Sequence, residues 1–167
     1  SAREKASRKA ELLQDPVRFC NYYFAHYLDS DFGWFHKKAM QVIAEDPNIF
    51  GIMEWPREHA KSVLLDIFMP MYLYAAKQME GMVVASATES KAKGLLGDIQ
   101  AEFESNLLWI NDYGNLTSIG NWQDGHFTTT DGIGFWAFGR GQSPRGIRKA
   151  AKRPNYAVVD DIDDKVI

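Results

Sequence analysis

No stretch of this 167-residue chain stays apolar over the roughly 18–20 residues that a membrane helix needs, so no transmembrane helix and no membrane partner are expected. The N-terminus carries Arg3, Glu4, Lys5, Arg8 and Lys9 and lacks the apolar core of a signal peptide. Cysteine is nearly absent: Cys20 stands alone, which excludes an internal disulfide. Its setting, Phe19-Cys20-Asn21-Tyr22-Tyr23, reads as a buried apolar thiol, and a reducing, cytoplasmic compartment fits. The four histidines, His26, His36, His59 and His126, lie too far apart for a local zinc motif. There is no internal repeat, low-complexity tract or interdomain linker. With a formal net charge of −3, the chain is not a polycation overall. What remains is a chain with 46% hydrophobic residues, enough for one domain with a core of its own.

The hydrophobic periodicity predicts helices over residues 2–14, from Pro16 to about Tyr27, and from Trp34 to Glu45. Asp15-Pro16 supplies a cap and a first-turn proline, and Asp46-Pro47-Asn48 ends the third helix. Residues 1–48 thus form an N-terminal helical segment, and 49–167 the core. A first core strand is expected at about 50–54. A helix opened by Lys61 should kink or end at Pro70. A second strand, 82–86, precedes a helix capped by Thr88 or Ser90 that runs to about Leu107. Phe127–Thr130 and Gly134–Phe138 read as a hairpin across Asp131-Gly132. Tyr156-Ala157-Val158-Val159 reads as a last buried strand. Strands alternating with helices imply an α/β fold with a mainly parallel sheet. The expected order places the first and last strands side by side.

Two stretches carry chemistry. The first is Glu54-Trp55-Pro56-Arg57-Glu58-His59-Ala60-Lys61-Ser62, between an apolar run and a helix. Strand, tight turn, Lys-Ser and helix is the layout of a phosphate-binding loop. Amides at a helix N-terminus face the phosphates, and the helix dipole favours their charge. Lys61 would reach the β/γ oxygens, and the Ser62 hydroxyl would ligate Mg2+. The usual glycines are replaced by Ala60 and Trp55. A positive φ at Ala60 would cost on the order of 1 kcal/mol. The second stretch ends the last strand in Asp160-Asp161, about a hundred residues later. Ligands bind at the carboxyl ends of strands in open α/β sheets, so Asp160 is expected in the magnesium shell and Asp161 beside the attacking water. Together the two stretches point to a nucleoside triphosphatase.

Between them, residues 139–153 hold Arg140, Arg145, Arg148, Lys149, Lys152 and Arg153, six cations in a glycine-bearing loop of an acidic chain. Such a run is either a solvated face or a contact for a polyanion.

In order along the chain, several segments resemble the ATPase domain of the large terminase subunit of tailed bacteriophages. Trp34-Phe35-His36 is similar to an aromatic–His segment of that family, and Pro56-Arg57-Glu58-His59-Ala60-Lys61-Ser62 to its Pro-Arg-x-x-Gly-Lys-Ser loop. Ser86-Ala87-Thr88 opens the helix after the second strand. Gly139-Arg140-Gly141-Gln142-Ser143-Pro144-Arg145-Gly146 resembles its Arg-Gly loop, and Arg153-Pro154-Asn155-Tyr156 leads into Val158-Val159-Asp160-Asp161 as the family's Arg-Pro-Asp run leads into an acidic pair. The resemblance spans roughly residues 30–164. Two departures stand out: Ala60 where the family has glycine, and Asp161 where many relatives have glutamate.

The resemblance implies a three-layer P-loop NTPase of the RecA-like (ASCE) class and a motor that hydrolyses ATP with Mg2+ to drive double-stranded DNA into a procapsid. It implies a portal protein and a small terminase subunit as partners, a ring of identical subunits, and the host cytoplasm as location. The family's later ATPase strands and its C-terminal endonuclease domain would follow beyond these residues. Arg57, Glu58, His59, Ala60, Lys61 and Ser62 would hold the phosphates, with Arg57 contacting the γ-phosphate or sensing its loss. Phe35 and His36 would line the adenine pocket. Asp161 would act in catalysis, and Arg145, or else Arg148, would reach a neighbouring subunit's nucleotide. Two alternatives stay open: a helicase-like translocase, and a degenerate, non-hydrolysing P-loop domain that binds DNA or capsid protein. In helicases the Ser-Ala-Thr tripeptide follows the acidic strand, whereas here it precedes that strand by about seventy residues.

Overall fold

The computed structural model describes residues 1–56, 60–144, 146–147 and 152–162. The chain forms two compact units, Ser1–Ala76 and Lys77–Ile167.

The first unit is helical. Helix α1 (Ala2–Leu12) starts in a capping box, in which the Ser1 hydroxyl accepts from the Glu4 amide. Helix α2 (Pro16–Tyr23) has Asp15 as cap, accepting from the Val17 amide at 2.9 Å, with Pro16 in its first turn as its sequence predicts. It stops four residues short of the expected end, and a 3-10 turn, Ala25–Tyr27, follows. Helix α3 (Trp34–Glu45) has the predicted bounds. Its opening amide, that of Gly33, donates to His36 Nδ1 at 2.9 Å. The core is aromatic. Phe24 stacks on Phe68 at 5.3 Å, Phe19 meets Tyr72 edge-on at 5.3 Å, and the Tyr72 hydroxyl donates to the Leu13 carbonyl at 2.6 Å. Cys20 is buried among them as a free thiol, and that burial pushes its pKa well up.

The helical run that Lys61 opens continues past Pro70. Helix α4 (Lys61–Val63) widens into a π-helical turn (Leu64–Phe68) and continues as α5 (Met69–Ala75). A proline has no N–H, and in a regular α-helix its ring would crowd the carbonyl four residues back, here that of Asp66. The widened turn, in which the Met69 amide bonds to Leu64, absorbs that conflict.

The second unit is built on a five-stranded mixed sheet in the order β2-β3-β4-β1-β5. Its strands are β1 (Gly81–Ser86), β2 (Thr117–Gln123), β3 (His126–Thr129), β4 (Gly134–Gly139) and β5 (Tyr156–Val159). Strand β1 lies between β4 and β5 and runs parallel to both, with Val84 opposite Ala137 and Val158. The β3–β4 hairpin turns across Asp131-Gly132 as expected, and β2 adds antiparallel to β3 with a bulge between Thr117 and Trp122. Helix α6 (Glu89–Ser105), capped by Thr88, packs on β1 and β4. Phe103 of α6 meets Phe135 of β4 at 5.5 Å, and Phe135 stacks on Phe127 of β3 at 4.7 Å. Each such fully buried ring contributes about 1.5–3 kcal/mol. On the other face the Trp136 indole lies over Gly134, where a Cβ would stand 2.2 Å from the ring.

Two expectations need correction. Residues 50–54 form no strand; Phe50 and Ile52 are 96% and 82% exposed, and among the described residues no backbone hydrogen bond holds the segment. An apolar run alone does not supply a ladder partner. Consequently β5 does not pair with a strand at 50–54; its neighbour is β1. The turn-rich stretch after residue 106 also contains α7 (Leu107–Tyr113) and β2, neither of which the sequence pattern marked. Asn106 separates α6 from α7, its side chain accepting from the Trp109 amide at 3.1 Å and donating to Glu102 at 2.7 Å. No helix among the described residues is long and apolar enough to cross a membrane.

Candidate nucleotide site

The predicted site residues fall on both units. In the first, Ala60 stands immediately before α4 with φ 54° and ψ 25°. This is the left-handed region, which glycine enters freely and alanine enters at a cost of about 1–2 kcal/mol. The Ala60 carbonyl accepts from the Leu64 amide at 3.0 Å, so the amides of Lys61, Ser62 and Val63 open the helix. Ala60 therefore holds a backbone conformation that glycine adopts more readily. Lys61 and Ser62 are partly exposed. Arg57, Glu58 and His59 lie outside the described residues.

Phe35 and His36 belong to a cluster in the same unit. Their ring centroids are 4.1 Å apart, and each lies 5.2 Å from that of Trp55. His36 is oriented by its bond from Gly33. Trp55, one residue before the Pro56-Arg57 pair, is a member of this cluster that the sequence pattern did not mark. The signal available was an aromatic residue at a position the usual phosphate-loop pattern gives to glycine.

In the second unit, Asp160 and Asp161 leave the carboxyl end of β5, where the strand pattern places them. The Asp160 amide donates to Ala85 at 3.0 Å, and the Asp161 carbonyl accepts from Ala87 at 3.0 Å. Asp161 itself sits in the left-handed region, φ 47°, a conformation aspartate tolerates better than most residues. The carboxyl ends of β1 and β4 lie beside this turn. The Arg140 amide donates to the Ser86 carbonyl at 3.0 Å, and Gln142 bridges the Gly139 amide (2.7 Å) and the Glu89 carboxylate (2.6 Å). Glu89 also pairs with Lys93 at 2.8 Å. These hydrogen bonds, from Lys93 first and Gln142 second, hold the Glu89 carboxyl below its usual pKa. Sequence reasoning missed Gln142 and Glu89, because no local pattern marks a contact spanning 53 residues. Arg145 and Arg148 lie outside the described residues.

Ser62 in the first unit and Asp160 in the second each carry an oxygen donor of the kind that hard cations take. Among the described residues no group of three or more His, Cys, Asp and Glu gathers as a cage. A shallow, open groove of about 820 Å³ runs along α6 past Thr88, Lys93, Gly97 and Asp124; none of the predicted site residues lines it.

No protein-family model matches the chain, and no curated protein and no solved structure gives a match. The family resemblance rests on the ordered motifs of this sequence.

Proposed function

We propose that this chain is the ATP-hydrolysing part of a DNA-packaging motor of the terminase large-subunit type, with a three-layer P-loop fold. The observation that carries the reading is the left-handed Ala60 at the start of the helix that Lys61 and Ser62 open. A non-glycine residue held in that conformation costs stability, and such outliers persist where function requires them. The acidic pair at the end of a parallel strand gives a second, independent support.

In this reading Lys61 and the amides around it bind the phosphates of ATP, Ser62 and Asp160 hold Mg2+, and Asp161 orients the attacking water. The metal supplies charge neutralisation for the transferring phosphoryl group. Arg57 contacts the γ-phosphate, and Phe35 and His36 flank the base. Arg145 serves a neighbouring subunit's nucleotide in a ring, a role worth about 10³–10⁵ in turnover where it occurs. Double-stranded DNA, a portal protein and a small terminase subunit are the partners, and the host cytoplasm is the location.

A second reading, a non-hydrolysing P-loop domain used for DNA or capsid-protein binding, draws on residues 50–54, which carry no strand. Equilibrium binding of Mg2+-ATP, followed by hydrolysis with and without linear duplex DNA, separates the two. Binding with DNA-stimulated hydrolysis supports the motor; DNA binding with no nucleotide binding supports the second reading. ATP-driven strand separation would favour a helicase instead.

A further inference from the structure

The carbonyl of Ser86 and the N–H of Ala87 belong to one peptide unit, which is planar and rigid. Its two polar groups serve two different turns. The carbonyl accepts from Arg140, which follows β4, and the N–H donates to the carbonyl of Asp161, which follows β5. Gln142 locks the first of these turns. Its side-chain oxygen takes the Gly139 amide, its amide group holds Glu89 at the start of α6, and its own backbone N–H donates to the Gly139 carbonyl at 3.2 Å. Gly139 packs so closely on the Thr88–Glu89 backbone that this junction has little room to shift independently.

We propose that Gln142 is a positioning residue for the acidic pair: by pinning the Gly139–Gln142 turn to α6 it fixes the Ser86–Ala87 peptide and, through it, the backbone of Asp161. A polyanion drawn to Arg140 on the β4 side then alters the setting of the Asp160–Asp161 turn on the β5 side. This second step rests on the motor reading, in which DNA is the polyanion and Asp161 works on the nucleotide. The first step is a property of the fold alone.

Two measurements on wild type and Gln142→Ala separate the steps, with Gln100→Ala, which removes an exposed side-chain bond elsewhere on α6, as control. In hydrogen exchange, Gln142→Ala is expected to speed exchange of the Ala87 and Asp160 amides at least fivefold, together with that of residues 139–142, while Gln100→Ala leaves all of them unchanged. A rise confined to 139–142 would overturn the proposal, whatever the protein's activity. In steady-state hydrolysis, Gln142→Ala is expected to lower kcat several-fold without DNA while KM for Mg2+-ATP stays within twofold, and to lose the increase that linear duplex DNA produces. Retained stimulation would overturn the coupling step. A wild type that hydrolyses no ATP would instead overturn the motor reading and the coupling step with it, leaving the exchange result to decide the positioning role.

Discussion

Gly139 lies against the start of α6 so closely that a Cβ added to it would stand 2.4 Å from the amide nitrogen of Glu89. The neighbour is backbone, and it cannot swing aside as a side chain would. Gly139→Ala is therefore expected to destabilise the protein by about 1–3 kcal/mol, the usual cost of overpacking. Denaturant unfolding checks this, and an unchanged midpoint would contradict it.

Ala60 offers the opposite case. Its left-handed backbone costs about 1–2 kcal/mol, whereas glycine at this position would lose only the entropy of a more flexible unfolded chain, about 0.4–1 kcal/mol. Ala60→Gly is expected to be at least as stable as wild type and to bind Mg2+-ATP at least as well. Ala60→Val, β-branched, is expected to be less stable than both. Calorimetry on the three proteins tests the order.

His126 stacks on Trp136 at 5.3 Å with an interplanar angle of 18°, and burial pushes its imidazole below the usual pKa. On acidification the unfolded chain takes up this proton first. The contribution to stability is therefore complete above about pH 6.5 and is lost as pH falls through the folded value. His126→Phe keeps the stack and removes the titration. The expected result is a shallower loss of unfolding free energy between pH 7.5 and pH 5; identical slopes would contradict it.

Asp161→Asn keeps the shape of the turn after β5 and removes the charge. If Asp161 orients the attacking water as proposed, nucleotide affinity is expected to survive while turnover falls about 10²-fold or more, because the loss falls on activation of water. Normal turnover in this variant would move the role to another carboxylate, such as Asp163 or Asp164.

Much of this architecture is written in local patterns. The bounds of α3, the Asp15–Pro16 start of α2, the Thr88 cap and the β3–β4 hairpin all follow from periodicity and turn chemistry that act within a few residues. The acidic pair is legible for the same reason, since an apolar β-branched run ends in it. Residues 50–54 show where such reasoning stops: apolar character says that a segment can pair, but only tertiary structure says whether a partner exists. Strand β2, with its Gly120 and exposed Ile119, has no clean alternation to read. The Gln142–Glu89 bond and the Trp55 cluster are long-range contacts and leave no periodic trace.

The most direct test of the central claim is Mg2+-dependent ATP hydrolysis by wild type and Lys61→Ala, with circular dichroism confirming that both are folded. The nucleotide-loop reading predicts that the wild type hydrolyses ATP and that the variant loses about 10²–10³-fold in rate, the usual consequence of deleting a charge aimed at the reacting group. Equal rates in the two proteins, or a folded wild type that neither binds nor hydrolyses ATP, would contradict it.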